Sequence, residues 1–163
     1  MKFEIYQKLY KRRFSWSFGV QMAAVAVKVE TGQVKVLKVT SVNDLGTVIN
    51  RQIVEGQIEG AILMGLGKAL TEKFVYNVTD SFAKFRLPRA KDTPRMEVIT
   101  LNIPRKKGPF GASGTAEYAD APTAPAIMNA VANACGVRIR DLPASPEKVL
   151  AALNKLEIRT LDL

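Results

Sequence analysis

One carboxylate stands in the middle of a loop built mainly of glycine, alanine and proline. The loop is Gly108–Pro125, GPFGASGTAEYADAPTAP, and the carboxylate belongs to Glu117. Glycine permits positive φ angles and lets a backbone come close to a ligand or to another chain. Little bulk surrounds such a glutamate, so a large group could approach its carboxylate. The alternative is an ordinary surface loop with a solvated glutamate, which is the common situation for this residue type.

A second group of candidate residues lies on the longest helical pattern of the chain, Arg51–Tyr76, which Asn50 can cap. One stripe of this helix begins apolar, presents an amide at Gln57 and has no side chain at Gly60. Each glycine inside a helix costs about 1 kcal/mol relative to alanine. Either close helix-to-sheet packing or a bulky ligand bound by Gln57 would explain the glycines. Spacings of three and four residues place on this stripe Ile53, Gln57, Gly60, Met64 and Gly67.

Three segments of the chain have the composition of strands. Gln21–Glu30 and Val34–Val42 are rich in β-branched residues, and the turn Thr31–Gln33 between them predicts a hairpin. The alternation slips by one residue in the second segment. Met96–Ile103 predicts a third strand, and Leu156–Leu163 a last one.

Two helices are expected after the glycine-rich loop. Ala121–Cys135 is followed by Gly136, a residue that ends helices. Ser145 and Pro146 open a second helix that we expect to end near Leu153. The sequence therefore predicts an α+β domain with a mixed, mostly antiparallel sheet, a long helix and C-terminal helices.

Composition limits the organisation and the chemistry of the chain. At 163 residues it is long enough for one domain, which we place at 18–163 behind a basic N-terminal arm at 1–17. Cys135 is the single cysteine, and there is no histidine. These counts exclude an internal disulfide, an iron–sulfur cluster built from this chain alone, and histidine-based triads or zinc sites. We therefore expect no metal ligand from this chain.

The N-terminal sequence and the net charge bear on location and partners. The first residues lack the apolar core of a secretory signal, and no apolar run is long enough to cross a bilayer, so we expect a cytoplasmic protein without a membrane partner. The formal charge is +9, with basic clusters at Lys8–Arg13, Arg86–Lys91 and Arg105–Lys107. Such clusters indicate a nucleic-acid or anion partner, a solvated surface, or an interface with an acidic subunit. No nucleic-acid motif accompanies them, so we favour the latter two and expect no nucleic acid.

Five strings in a fixed order resemble one family. They are QIEGAILMGLGKALTE, FRLPRAKDTP, GPFGASGTAE, APAIMNAV and GVRIRDLPASPEKVL. Together they resemble the C-terminal part of the molybdenum-binding subunit of the xanthine dehydrogenase and aldehyde oxidoreductase family. The resemblance covers Phe18 to Leu153 and implies a fold like that of a molybdopterin-binding domain.

The resemblance implies roles for two residues. Members of the family hydroxylate carbon in aldehydes or N-heterocycles at a molybdopterin cofactor. The glutamate of the string GASGTAE is their general base, which makes Glu117 the catalytic candidate, and burial would raise its pKa toward a useful value. The glutamine of the string QIEG contacts the pterin, a role that falls on Gln57. The chain departs from the family pattern just before the glutamate, where Thr115 replaces an aliphatic residue and Ala116 a glycine.

The resemblance also implies missing parts, because the family's subunit is several times longer. One hypothesis is a component of a split molybdenum hydroxylase, inactive and without cofactor as an isolated chain. Its partners would be other subunits carrying the rest of the molybdenum site, iron–sulfur clusters and optionally flavin. The alternative is a non-catalytic fragment or remnant that acts as a structural or interaction module. An exposed apolar surface along the Ile53–Gly67 stripe would favour the first hypothesis, since such a surface needs covering.

Overall fold

A computed structural model describes residues 15–115 and 117–161, with side chains up to residue 154. Most of the expected N-terminal arm at 1–17, including the basic cluster Lys8–Arg13, lies outside the described residues. Within the described ranges, no helix is both long and apolar enough to span a bilayer.

The expected hairpin is present. Strand β1 (Phe18–Lys28) pairs antiparallel with β2 (Gln33–Asp44), and Gly32 in the turn has a φ of +71°. The slip in the second segment is a β-bulge, because Ala24 pairs with Lys38 and Val25 with Val36, which leaves Leu37 unpaired. The bulge moves the buried positions of β2 from even to odd numbers.

The third strand makes the sheet mixed. Strand β3 (Arg95–Leu101) pairs parallel with β2, and the strand order is β1-β2-β3. A parallel neighbour requires a crossover connection, which helix α1 (Arg51–Leu70) supplies. The antiparallel pairing joins 11 residue pairs and the parallel pairing 7, so the prediction of a mixed sheet with more antiparallel pairing is confirmed.

Helix α1 begins as expected and ends earlier. The Asn50 side chain accepts a hydrogen bond from the Ile53 N–H at 3.1 Å. The helix ends at Leu70, not at Tyr76, because the backbone N–H groups of both Thr71 and Glu72 turn back to the Gly67 carbonyl. The apolar side chains that follow are exposed, so no buried face supports further turns. An irregular connection leads to β3 through a short helix, α2 (Phe82–Phe85), and a 3-10 turn at Ala90–Asp92.

Two helices follow the glycine-rich loop. Helix α3 (Thr123–Cys135) ends at Gly136, whose φ of 74° lies in the left-handed region. Helix α4 (Pro146–Leu161) runs through the segment expected as a last strand. That expectation at Leu156–Leu163 was wrong, because the residues after Pro146 include no glycine or proline and are mostly strong helix formers.

The core lies between one face of the sheet and helices α1 and α3. Its members are apolar residues from the inner face of β2, the buried side of α1 and the middle of α3, joined by Leu45 from the β2–α1 connection and by Ala119 from the glycine-rich loop. The most deeply buried are Val39, Leu45, Ile58, Ile62 and Ile127. The outer side of α1 and the outer face of the sheet remain exposed.

Candidate functional site

The base of the Glu117 loop is fixed to the end of β2. The Ser113 N–H donates to the Leu45 carbonyl at 2.8 Å, and the Thr47 N–H donates to the Gly111 carbonyl at 2.9 Å. A bridge between Gly46 and Ala112 lies between these bonds. The first half of the loop therefore behaves as an extension of the sheet and not as a free connection.

Glycine is needed where the loop turns back on itself. Gly111 has a φ of 77°, a conformation that residues with a side chain rarely adopt. A Cβ atom at this position would lie 3.0 Å from both the Pro104 Cβ and the Thr47 Oγ1. The positive φ and the close approach of Pro104 and Thr47 explain the glycine without any ligand.

Arg105 ties the loop to the sheet through its side chain. Its guanidinium forms an ion pair with Asp44 at 2.8 Å, in which both side chains are about one-fifth exposed, and it lies 5.7 Å from the ring centroid of Phe18. The basic cluster Arg105–Lys107, interpreted above as a surface or interface patch, thus contains a structural residue. The sequence carried no signal for the pairing, because Asp44 lies 61 residues away.

Two serines before β1 hold the second half of the loop. The Ser17 hydroxyl donates to the Gly114 carbonyl at 2.5 Å, and the hydroxyls of Ser15 and Ser113 lie 2.6 Å apart. The other side of Gly114 is open, since no atom lies within 4 Å of the position that a Cβ would take. The loop is therefore anchored at its base and accessible on its outer side.

Glu117 follows this open stretch. It begins the 3-10 turn Glu117–Ala119, and its side chain is exposed. Its backbone carbonyl accepts a hydrogen bond from the Asp120 N–H at 3.2 Å, whereas its carboxylate forms no hydrogen bond or ion pair within the described ranges. The burial expected for this carboxylate is not provided by those residues, so any burial requires a neighbour from outside them.

A buried hydrogen-bond network holds the turn that carries Glu117. The Thr123 hydroxyl donates to Gln21 Oε1 at 2.6 Å, and Gln21 Nε2 donates to the Ala119 carbonyl at 2.7 Å. Gln21 and Thr123 are buried, so the bonds form in a surrounding of low dielectric constant. Sequence reasoning missed this network. Its one visible signal was a glutamine at the start of an otherwise apolar strand.

Tyr118 fixes the backbone next to Glu117. Its hydroxyl donates to Asn43 Oδ1 at 2.9 Å, and its ring packs against Gly19, where a Cβ would lie only 2.7 Å from a ring carbon. Burial, with a smaller contribution from the charge of Asp44, raises the pKa of Tyr118 to about 12. The phenol therefore stays protonated at neutral pH and serves as a hydrogen-bond donor.

Gln57 lies on the outer side of α1, between glycines that place no side chain beside it. Its side chain is exposed, and no atom lies within 4 Å of a Cβ placed on the neighbouring glycines Gly56 and Gly60. Ile53 and Met64, one and two turns away, are 63% and 57% exposed. The predicted stripe is thus uncovered from Ile53 to Met64, the condition that favours the split-enzyme hypothesis.

The helix glycines differ in their surroundings, and the two packed ones contact α3 and the segment after α1 instead of the expected sheet. A Cβ on Gly65 would lie 2.4 Å from the Thr123 Cβ, and one on Gly67 would meet the Glu72 carboxylate at 2.1 Å. These two glycines serve close packing inside the chain. Gly56 and Gly60 have no such neighbour in the described residues, so internal packing does not account for them.

Helix α1 contacts the Glu117 loop near the C-terminal end of the helix. There Lys68 forms an ion pair with Asp120, and Gly65 packs on Thr123. Gln57 precedes Gly65 by eight residues, about 12 Å along the helix axis. No hydrogen bond joins Gln57 to Glu117. The described residues present the two predicted site residues as separate exposed groups.

These groups suit a bulky organic cofactor. The Gln57 amide offers a donor and an acceptor between two positions that lack side chains, and Glu117 follows an open glycine. Among the described residues, no three histidine, cysteine, aspartate or glutamate side chains come together as metal ligands. A cavity of about 910 Å³ beside the β1–β2 turn, lined in part by Arg86 and Lys91 of the second basic cluster, includes neither site residue.

Comparison with known proteins agrees with this geometry. The family model of the molybdopterin cofactor-binding domain matches residues 3–94. The aldehyde oxidoreductase of Megalodesulfovibrio gigas is 44% identical over 143 residues, 85% of this chain and 16% of that protein. The gamma subunit of the 6-hydroxypseudooxynicotine dehydrogenase complex of Paenarthrobacter nicotinovorans is 33% identical over 156 residues, 88% of this chain and 19% of that protein.

Solved structures contain the same fold. The crystal structure of the aldehyde oxidoreductase from Desulfovibrio desulfuricans ATCC 27774 superposes with a TM-score of 0.81 at 40% identity, over 83% of this chain and 15% of that one. The family match and the shared fold define a cofactor-binding domain. The chain belongs to the molybdopterin cofactor-binding domain family and is similar to the molybdenum-binding part of xanthine dehydrogenases and aldehyde oxidoreductases. It spans 16% of the length of the aldehyde oxidoreductase that it matches.

Proposed function

We propose that this chain is one component of a molybdenum hydroxylase that oxidises aldehydes or N-heterocycles, with residues 18–163 as its folded domain. Other chains complete the site. The observation that carries the proposal is the uncovered outer side of α1, where Gln57 lies between Gly56 and Gly60 with no atom within 4 Å of either Cβ position. A remnant without a partner has no use for two helix glycines that destabilise it by about 1 kcal/mol each.

In this proposal each of the two residues performs one task. The Gln57 amide donates from Nε2 and accepts at Oε1, which matches the alternating donors and acceptors of a pterin edge. When bound, the molybdopterin group supplies the two-electron oxidation of the substrate. Glu117 accepts a proton at its carboxylate, and the neighbouring Tyr118 holds the turn in place through Asn43. The proposed partners carry the rest of the molybdenum site, iron–sulfur clusters and optionally flavin, and the proposed location is cytoplasmic.

The test begins with the native mass and the molybdenum content of the protein purified from its own source. The proposal expects a larger, molybdenum-containing complex that oxidises an aldehyde or a purine, and it expects no turnover from the isolated chain. Glu117→Gln in that complex should lower turnover about 10²- to 10⁴-fold, the usual contribution of a general base, while molybdenum content stays unchanged. Gln57→Leu should instead lower molybdenum content.

A matched control removes a carboxylate elsewhere. Glu30 lies in the exposed β1–β2 turn, so Glu30→Gln changes the charge equally and should leave turnover as in the wild type. Full turnover by Glu117→Gln would refute the general-base role. A metal-free chain of 17.9 kDa from the native source would favour the alternative, a non-catalytic structural or interaction module.

A further inference from the structure

The outer face of the sheet is not covered by any of the described residues, and it is distinct from the outer side of α1. Helices α1 and α3 cover only the inner face. Pairing places outward-facing residues in rows across the three strands. One row consists of Val20, Val42 and Ile99. The row on one side of it begins with Phe18 on β1, and the row on the other side begins with Met22.

One half of this face is mainly apolar, with Asp44 between Phe18 and Leu101, and the other half carries Lys38 and Arg95. On β1, Phe18, Val20 and Met22 are 61%, 58% and 61% exposed, and on β3, Ile99 and Leu101 are each 41% exposed. We call the six residues of this half the sheet patch: Phe18, Val20, Met22, Val42, Ile99 and Leu101. Adjacent rows hold the Lys38–Glu97 ion pair, at 2.5 Å. An apolar patch with a polar border is typical of a protein-binding surface.

The outer face of the parallel pair formed by β2 and β3 is open in the described residues, in a sheet that is mixed and not all-parallel. Strand β1, with 11 residues, is in addition an unpaired edge in the described structure. Long open edges with apolar side chains are normally paired or covered.

We infer that the sheet patch binds a longer chain of the same molybdopterin-binding family. This inference rests on the proposed function and names where its partner docks. The aldehyde oxidoreductase has 84% of its length (100 − 16) without a counterpart in this sequence, and the proposed function assigns that part to the partner. The partner surface is an apolar strip bordered by carboxylates.

Charge favours such a partner over a second copy of this chain. The formal charge of +9 makes two copies repel each other. The two carboxylates at the rim of the patch, Asp44 and Glu97, are already paired with Arg105 and Lys38. An incoming surface with excess carboxylates would complement the chain, whereas an identical one would not.

The experiment compares the wild type with two variants of the patch, Met22→Glu and Ile99→Glu, each purified from the native source with a C-terminal tag. Both side chains are exposed, so the variants should keep the wild-type unfolding midpoint. Each variant should recover at least about tenfold less partner than the wild type does, which is the usual effect of losing a central contact. Phe82→Glu, which changes a residue 79% exposed on α2, is the matched control and should recover as much as the wild type.

Covalent surface labelling of the isolated chain and of the complex locates the contact directly. The inference expects Met22 and Phe18 to be protected in the complex, and it expects mass spectrometry to identify the partner as a molybdopterin-binding family member. The inference would be overturned by equal labelling of the isolated chain and the complex. Recovery of the protein as a monomer or homodimer, or with a partner from another family, would also overturn it. A working Glu117→Gln enzyme would refute the general-base role and leave this docking surface intact.

Discussion

Alanine substitutions at two glycines of α1 should have opposite effects on stability. Gly60→Ala adds a methyl group where no atom lies within 4 Å. Only helix propensity changes, so the free energy of unfolding should rise by about 1 kcal/mol. Gly65→Ala makes the same chemical change five residues later, where the new Cβ would lie 2.4 Å from the Thr123 Cβ.

The cost at Gly65 follows from the surroundings of Thr123. That residue is fully buried and donates its hydroxyl to Gln21, so it cannot turn away freely. Overpacking costs about 1–3 kcal/mol, a strained hydrogen bond costs about 1 kcal/mol, and propensity returns about 1 kcal/mol. The net destabilisation should be about 1–3 kcal/mol.

Urea unfolding of the isolated chain, followed by circular dichroism, measures both values by linear extrapolation. The free energies of unfolding of the two variants should therefore differ by about 2–4 kcal/mol, and the wild-type value should lie between them. In the molybdenum-containing assembly, Gly60→Ala should lower cofactor content despite its higher stability, because the methyl group occupies the open space beside Gln57. Equal shifts in the same direction would show that contact with Thr123 does not require a glycine at position 65.

Two further predictions concern the loop supports. Burial raises the pKa of Tyr118 to about 12, above the value near 10 of an unfolded tyrosine, so the unfolded state loses this proton first and stability should fall as the pH rises from about 10 to about 12. Tyr118→Phe should make that fall shallower in unfolding curves recorded across this range, and an unchanged slope would contradict the assignment. Arg105→Ala removes the ion pair with Asp44, so the amide hydrogens of residues 111–113 should exchange faster with deuterium, whereas exchange at wild-type rates would mean that backbone bonds alone hold the loop.

The elements of the fold were predictable from local signals. The Gly32 turn, the Asn50 cap and the Gly136 helix end each depend on neighbouring residues, and all three are present. The errors, namely the end of α1, the end of α4 near Leu153 and the last strand, occurred where tertiary contacts or a competing helix preference decided the outcome. Leu156–Leu163 alternates like a strand but consists largely of good helix formers.

The surroundings of the candidate site were not predictable in the same way. The glycine-rich loop marked Glu117, and the stripe marked Gln57, because both signals lie within a short window of sequence. Gln21, Asn43 and Arg105 support the loop through contacts with residues distant in sequence. A polar side chain in a strand gives no indication in the sequence of which residue it will bond to. The division of the helix glycines into packed and open positions likewise required the neighbouring α3.

The supports of the Glu117 loop determine when the site can form during folding. Ser15, Ser17 and Gln21 bond to loop residues 97 or 98 positions later, and Thr123 bonds to a residue 102 positions earlier. Contacts of such long range carry a large loop-closure entropy and slow folding. During synthesis, the start of β1 must therefore wait for about 100 further residues before the carboxylate is positioned. A partner that recognises the anchored loop would consequently bind chains synthesised beyond Thr123 and leave shorter ones unbound.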